Sequence, residues 1–135
     1  MSKHVQVILT TGTKDIARAV LGLQAALAAV ASQLEVDVFL TLDATEWACE
    51  PRDCVNGQEV YDLLDLLIAL GARITCCSAC ALEKCGGGEA PQPGVCELDR
   101  AGSSNAAVLT SANVQLTGLA TLMERVASGA PTVTF

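Results

Sequence analysis

Four of the seven cysteines in this 135-residue chain lie within ten residues, in Arg-Ile-Thr-Cys76-Cys77-Ser-Ala-Cys80-Ala-Leu-Glu-Lys-Cys85. The run before Cys76 reads as a strand, and residues 78–85 can form a turn of helix. A thiolate at a strand end, facing a helix start, meets unpaired backbone N–H groups and a partial positive charge. Both lower its pKa and enlarge the reactive fraction at neutral pH. Such a thiol suits attack on a sulfane sulfur, which it would then carry as a persulfide. Adjacent strand residues point to opposite faces, so Cys76 and Cys77 do not share a pocket while the strand persists. Ile74 and Cys76 fall on one face, assigned to the core. Cys77 is therefore the favoured reactive thiol, with Cys80 close enough to resolve it or share its load and Cys76 as the alternative.

Other chemistries compete for these residues. A buried free cysteine is an ordinary small hydrophobe, which is the plain reading of Cys76. Cys77, Cys80, Cys85 and Cys96 could supply four thiolates to a metal, although a single C-x-x-C with irregular partners is a weak zinc signal. Cys77-x-x-Cys80 could also be a thioredoxin-like dithiol, but it comes after the third strand rather than the first. Cys49 and Cys54 read as bystanders. The single histidine, His4, reads as a solvated residue at the chain start, which leaves a Cys-His hydrolase little support. The glycines at 86–88 come after cysteine-rich sequence rather than a strand and do not make a phosphate loop.

Composition narrows the partners. Fifteen acids against eight Lys/Arg give a net charge of −7, and the basic residues are scattered singly. Nucleic acid is thereby disfavoured as a partner. Nine acids between Glu35 and Asp65 face only Arg52, a solvated acidic surface or a docking patch for a basic partner. Hydrophobic residues reach 51% with aromatics at 3%, so the core must be built from Ala, Val, Leu and Ile. Ala19 to Leu34 is uncharged for sixteen residues but too short and too polar to span a membrane. The N-terminus lacks the pattern of a signal peptide, and a soluble cytoplasmic protein is expected.

The elements that position the cysteines emerge from periodicity. Val5–Thr10 is a first strand, and Thr13 can cap a helix with Asp15 in its first turn. Ile16, Val20, Leu23, Leu27, Val30 and Leu34 form that helix's apolar stripe, while Leu21, Ala25, Ala28, Ala29 and Ala31 make its other side apolar too. Such a helix is expected to be buried on two sides, the second against another subunit. Val36–Leu42 is a second strand, Val60–Leu70 a helix with Asn56 and Glu59 at capping-box spacing, and Arg73–Cys76 a third strand. Residues 86–106 hold five glycines and two prolines, a loop. Val114–Leu116 is a fourth strand, and Thr117 the cap of a last helix whose buried face is Leu119, Leu122, Met123 and Val126. Thr132–Phe135 is the terminal strand. Strands alternating with helices imply one domain over 1–135, a mostly parallel five-stranded sheet with helices on both faces. Ligands in such sheets gather at the strands' carboxyl ends, here Thr10-Thr11-Gly12, Asp43-Ala44-Thr45 and Cys76-Cys77.

In this order the elements resemble the DsrE/DsrF-like sulfur-relay family (TusBCD/YchN-like). The features that carry the likeness are a strand running into Thr-Gly at Val5–Gly12 before an Ala-rich helix, a second strand into Asp43-Ala44, cysteines ending Arg-Ile-Thr, and the closing Pro-Thr-Val-Thr-Phe. The resemblance implies a flavodoxin-like α/β sandwich that assembles as a homotrimer or homohexamer. It also implies a cytoplasmic sulfur carrier that needs no cofactor and exchanges sulfur with TusA-like or rhodanese-like proteins, in sulfur oxidation or tRNA thiolation. The family cysteine falls on Cys77, with Cys76 one position away and Cys80 completing the C-x-x-C of some members. The dense cysteine cluster and the long loop through Cys96 depart from the family pattern, leaving room for a metal or a regulatory disulfide. The alternatives are a cysteine-ligated metal- or redox-binding module and a structural subunit with inert cysteines.

Overall fold

β-Branched and aliphatic runs fix the strands, and the helices between them force the strands parallel. The computed structural model describes residues 3–49, 57–85 and 114–135. The strands are β1 His4–Leu9, β2 Glu35–Leu40, β3 Arg73–Cys77, β4 Val114–Thr117 and β5 Thr132–Thr134. The helices are α1 Ile16–Ala31, α2 Gln58–Ala69, α3 Ser78–Cys85 and α4 Leu119–Ala127, and a 3-10 segment spans Leu42–Ala48. The sheet order is β4-β3-β2-β1-β5, with every pairing parallel. The expected α/β sandwich is present, with strand ends shifted by one or two residues.

Alternation divides the sheet into two unlike faces. Val7, Leu9, Val36, Val38, Leu40, Ile74 and Cys76 lie in the main core, together with Ala19, Leu23 and Ala26 of α1 and Val60, Leu64 and Leu67 of α2. The opposite face carries a small second cluster of Phe39, Cys77 and Leu122, flanked by Ile8 and Cys80. Much of the remaining second face is polar, and Gln6, Asp37 and Thr75 are buried there. Asp37, 2% exposed, pairs with His4, with Arg73 Nε at 3.4 Å and with Arg125 Nε at 3.8 Å. His4 is therefore partnered rather than solvated: in parallel register it sits two residues before Gln6, which lies opposite Asp37. A buried carboxylate needs such partners to remain in the interior.

Three helix expectations are corrected. Asp15, not Thr13, caps α1, and its carboxylate accepts a hydrogen bond from the Arg18 N–H at 3.2 Å. Gly118 rather than Thr117 precedes α4, because Thr117 is still paired in β4. Of α4's expected buried face only Leu122 is buried; Leu119 and Met123 are each 59% exposed and Val126 39%. On α1 the expected stripe packs on the core, with Leu23 buried and Ile16, Val20, Leu27 and Val30 partly so, and Leu21, on the side expected to meet another subunit, is 54% exposed in the single chain. Helices α2 and α4 run out into glycines, Gly71 and Gly129, both at positive φ.

The segment after β2, expected as strand and loop, instead winds into the 3-10 helix, and β1's end packs tightly against it. The Trp47 indole N–H donates to the Thr11 carbonyl at 2.8 Å, and the Glu46 carboxylate accepts from the Thr13 N–H at 3.0 Å. Gly12 permits this approach, since a Cβ there would run into the Asp43 carbonyl oxygen and the Glu46 carboxylate. Gly12→Ala should therefore lower stability by about 2 kcal/mol through overpacking. Urea unfolding of the variant checks this, and an unchanged midpoint would contradict the close packing.

Candidate functional site

The carboxyl ends of β2 and β3 meet where the chain concentrates its free thiols. β3 delivers Cys76 and Cys77 to opposite faces, and α3 begins at once with Ser78, placing Cys80 in its first turn. The 3-10 segment lies alongside α3 and is fastened to it twice. Lys84 Nζ stands 3.3 Å from Asp43 Oδ1, and Cys49 and Cys85 form a disulfide with their Cα atoms 5.2 Å apart. Ala44, Trp47 and Ala48 from one side and Ala81 from the other bury the seam. The T-shaped pair of Trp47 and Tyr61, with ring centroids 5.5 Å apart, backs it from α2.

The three free thiols of the described residues occupy three different environments. Cys76 is fully buried in the main core, and its thiol donates to the Cys77 carbonyl at 3.7 Å. Burial pushes its pKa up to about 12, with the neighbouring cysteines adding to the rise. At neutral pH Cys76 is a protonated hydrophobe, as the plain reading of a core cysteine has it. Cys77 lies on the other face, 6% exposed, against Phe39 and Leu122.

Cys80 is the half-buried thiol of the three, and the groups around it are donors. Partial burial alone would raise its pKa. Hydrogen bonding from the Thr41 hydroxyl, the Leu42 backbone N–H and the Cys77 thiol outweighs that effect and holds it below the ordinary thiol value. Thr41 Oγ1 is 3.6 Å from Cys80 Sγ. Leu42 reaches its role through an unusual backbone, φ +53, which a leucine adopts at a cost of about 1 kcal/mol. Strain of this kind is found where a site over-determines the chain. The arrangement is that of a small donor cradle around one accessible sulfur, suited to a thiolate nucleophile.

The structure thus brings Cys77 and Cys80 together and turns Cys76 away from both. It also changes the standing of the outlying cysteines. Cys49, expected as a bystander, is bonded to Cys85, so Cys85 is not available as a thiolate for the four-cysteine metal reading while that bond stands. Cys54 and Cys96 lie outside the described residues. Among the described residues no group of three or more His, Cys, Asp or Glu is arranged to hold a metal ion. Thr41 and Leu42 carry no signal in the sequence, where both read as strand. Nothing in a Thr-Leu pair announces a left-handed leucine.

Removing one donor should make the thiolate harder to form. Thr41→Val is expected to move the pH profile of Cys80 alkylation upward, with slower reaction at neutral pH. Peptide-resolved iodoacetamide kinetics checks this, and a profile unchanged in Thr41→Val would refute the cradle. The disulfide closes a loop of 36 residues, so Cys49→Ser or Cys85→Ser should lower stability by about 3–4 kcal/mol. Chemical unfolding with and without reductant reads that loss, and wild type should lose a similar amount on reduction.

Comparison with known proteins agrees with this architecture. The profile of the DsrE/DsrF-like family matches residues 3–135. The crystal structure of the YchN protein from E. coli superposes with a TM-score of 0.66 at 20% identity, covering 100% of both chains. A conserved protein of unknown function from Bacteroides thetaiotaomicron superposes with a TM-score of 0.61 at 14% identity, covering 98% of this chain and 95% of the other. No curated protein matches the sequence significantly. At these identities the two structures speak for the fold, and the family is carried by the profile over nearly the whole length. The chain belongs to the DsrE/DsrF-like family.

Proposed function

We propose that this protein is a sulfur carrier that holds sulfane sulfur as a persulfide on Cys80 and passes it to a partner protein. Membership of the DsrE/DsrF-like family supports a role in sulfur relay. The observation that carries the finer reading is the partial exposure of Cys80 with the Thr41 hydroxyl 3.6 Å from its sulfur and Leu42 and Cys77 beside it. Sequence alone favours Cys77 for this role. Its burial against Phe39 and Leu122 and the partial exposure of Cys80 argue for exchanging the two.

Loading is a thiolate displacement. Cys80 Sγ attacks the outer sulfur of a donor persulfide, a new S–S bond forms, and the donor leaves as its thiolate. Unloading reverses the geometry: an acceptor thiolate attacks the outer sulfur and the Cys80 thiolate departs. Neither step changes the total oxidation state of the sulfurs, and neither calls for a cofactor. The donors that stabilise the Cys80 thiolate also stabilise it as a leaving group, so the cradle serves both directions. TusA-like or rhodanese-like proteins have the chemistry of suitable partners.

Two further parts of the reading rest on the surface. Leu116 on β4 and Leu119 and Met123 on α4 are exposed apolar residues, which supports assembly as a homotrimer or homohexamer. No helix among the described residues is long and apolar enough to cross a membrane, in keeping with a cytoplasmic carrier.

The test is loading by a sulfane-sulfur donor, read as intact mass at the earliest times. Wild type, Cys76→Ser and Cys77→Ser should each gain about 32 Da, one sulfur atom, and Cys80→Ser should not. A gain that persists in Cys80→Ser but not in Cys77→Ser would return the role to Cys77. No gain in any form would leave the structural-subunit reading in its place.

A further inference from the structure

Cys77 is poorly placed to meet a donor protein and well placed to meet Cys80. Its side chain is packed into the second-face cluster with Phe39 and Leu122, which closes it off from solvent. Cys80 packs against the same cluster, and the Cys77 thiol is among the groups that lower the Cys80 pKa. The two residues bracket the β3–α3 junction at i and i+3, so their side chains meet across one turn of backbone. The third free thiol, Cys76, has no such access, since it faces the main core.

We propose that Cys77 is a resolving thiol that discharges the Cys80 persulfide as sulfide, making this site a sulfide-releasing dithiol as well as a carrier. This second activity rests on the carrier reading. In the step, Cys77 Sγ attacks the inner sulfur, Cys80 Sγ, and a Cys77–Cys80 disulfide forms as the Cys80 S–S bond breaks. The outer sulfur leaves as hydrosulfide and takes up the proton of the Cys77 thiol. The sulfane sulfur is reduced by two electrons and the two cysteines are oxidised by two, so no outside oxidant enters. Reopening the disulfide for another cycle requires a dithiol reductant, such as a thioredoxin-type protein.

Outward transfer and inward closure then compete for the same persulfide. With an acceptor thiol docked, the outer sulfur is taken and Cys77 remains reduced. Without one, closure sets how long the sulfur is held. Cys77 thereby acts as a timer on the carrier, and the substrate class of the second activity is any persulfide or polysulfide able to load Cys80.

The experiment loads reduced wild type and Cys77→Ser with one equivalent of inorganic polysulfide, without acceptor and without oxygen, and tracks sulfide release and intact mass together. Loading expels hydrosulfide or a shorter polysulfide from both proteins; beyond the amount Cys77→Ser releases, wild type should release about one further sulfide per loaded chain and finish with a Cys77–Cys80 disulfide in a non-reducing peptide map. Cys77→Ser keeps a hydroxyl donor at that place but has no nucleophile, and it should retain its added sulfur at least tenfold longer. A wild type that holds its persulfide as long as Cys77→Ser, or releases that further sulfide without the disulfide, overturns the proposal and leaves the carrier standing. A Cys77→Ser protein that never gains sulfur overturns the assignment of the persulfide to Cys80 and, with it, this proposal.

Discussion

The 3-10 segment Leu42–Ala48 is held against β1's end by the Trp47 and Glu46 hydrogen bonds and against α3 by the Lys84–Asp43 pair and the Cys49–Cys85 disulfide. That clamp fixes Thr41 and Leu42 beside the Cys80 sulfur. A hydrogen bond to a thiolate is worth having only when the donor cannot turn away, and here both sides of the contact are fastened. The strained φ of Leu42 turns the chain from β2 into the 3-10 segment, and the packing of the segment sustains it. Gly12 belongs to the same constraint, because any side chain there would separate β1's end from Asp43 and Glu46.

Three thiols within five residues acquire three chemistries from where the chain puts them. Strand alternation sends Cys76 into the main core, where burial keeps it protonated. The next residue, on the opposite face, joins Phe39 and Leu122. One helical turn later Cys80 comes out to the edge of that cluster, where donors from β2's end surround it. The difference between an inert and a reactive cysteine is thus a matter of one strand pleat and one turn of helix, not of residue type.

Much of this is legible in the sequence, and the failures have physical causes. Strand order in the chain, the helix-stopping glycines and the opposite facing of Cys76 and Cys77 come from periods of two and 3.6, which local sequence records directly. The pairing of Cys49 with Cys85 is a contact across 36 positions, and no local pattern reports it. The donors of Cys80 come from a 3-10 turn whose Thr-Leu-Asp start reads as continuing strand. His4 reads as solvated because its partner, Asp37, reaches it only through the parallel register of β1 and β2. On α4 the spacing of Leu119, Met123 and Val126 is correctly apolar, but periodicity says that a face is apolar, not that this chain alone covers it.

The central claim is that incoming sulfane sulfur lands first on Cys80. Trypsin cuts after Arg73 and Lys84, so one peptide, residues 74–84, carries Cys76, Cys77 and Cys80 together. Wild-type protein exposed briefly to a sulfane donor, quenched with an alkylating reagent and digested, can be sequenced by fragment mass. The account predicts the earliest alkylated persulfide on Cys80. A first label on Cys76 or Cys77, or neither persulfide nor released sulfide at any time, would contradict it.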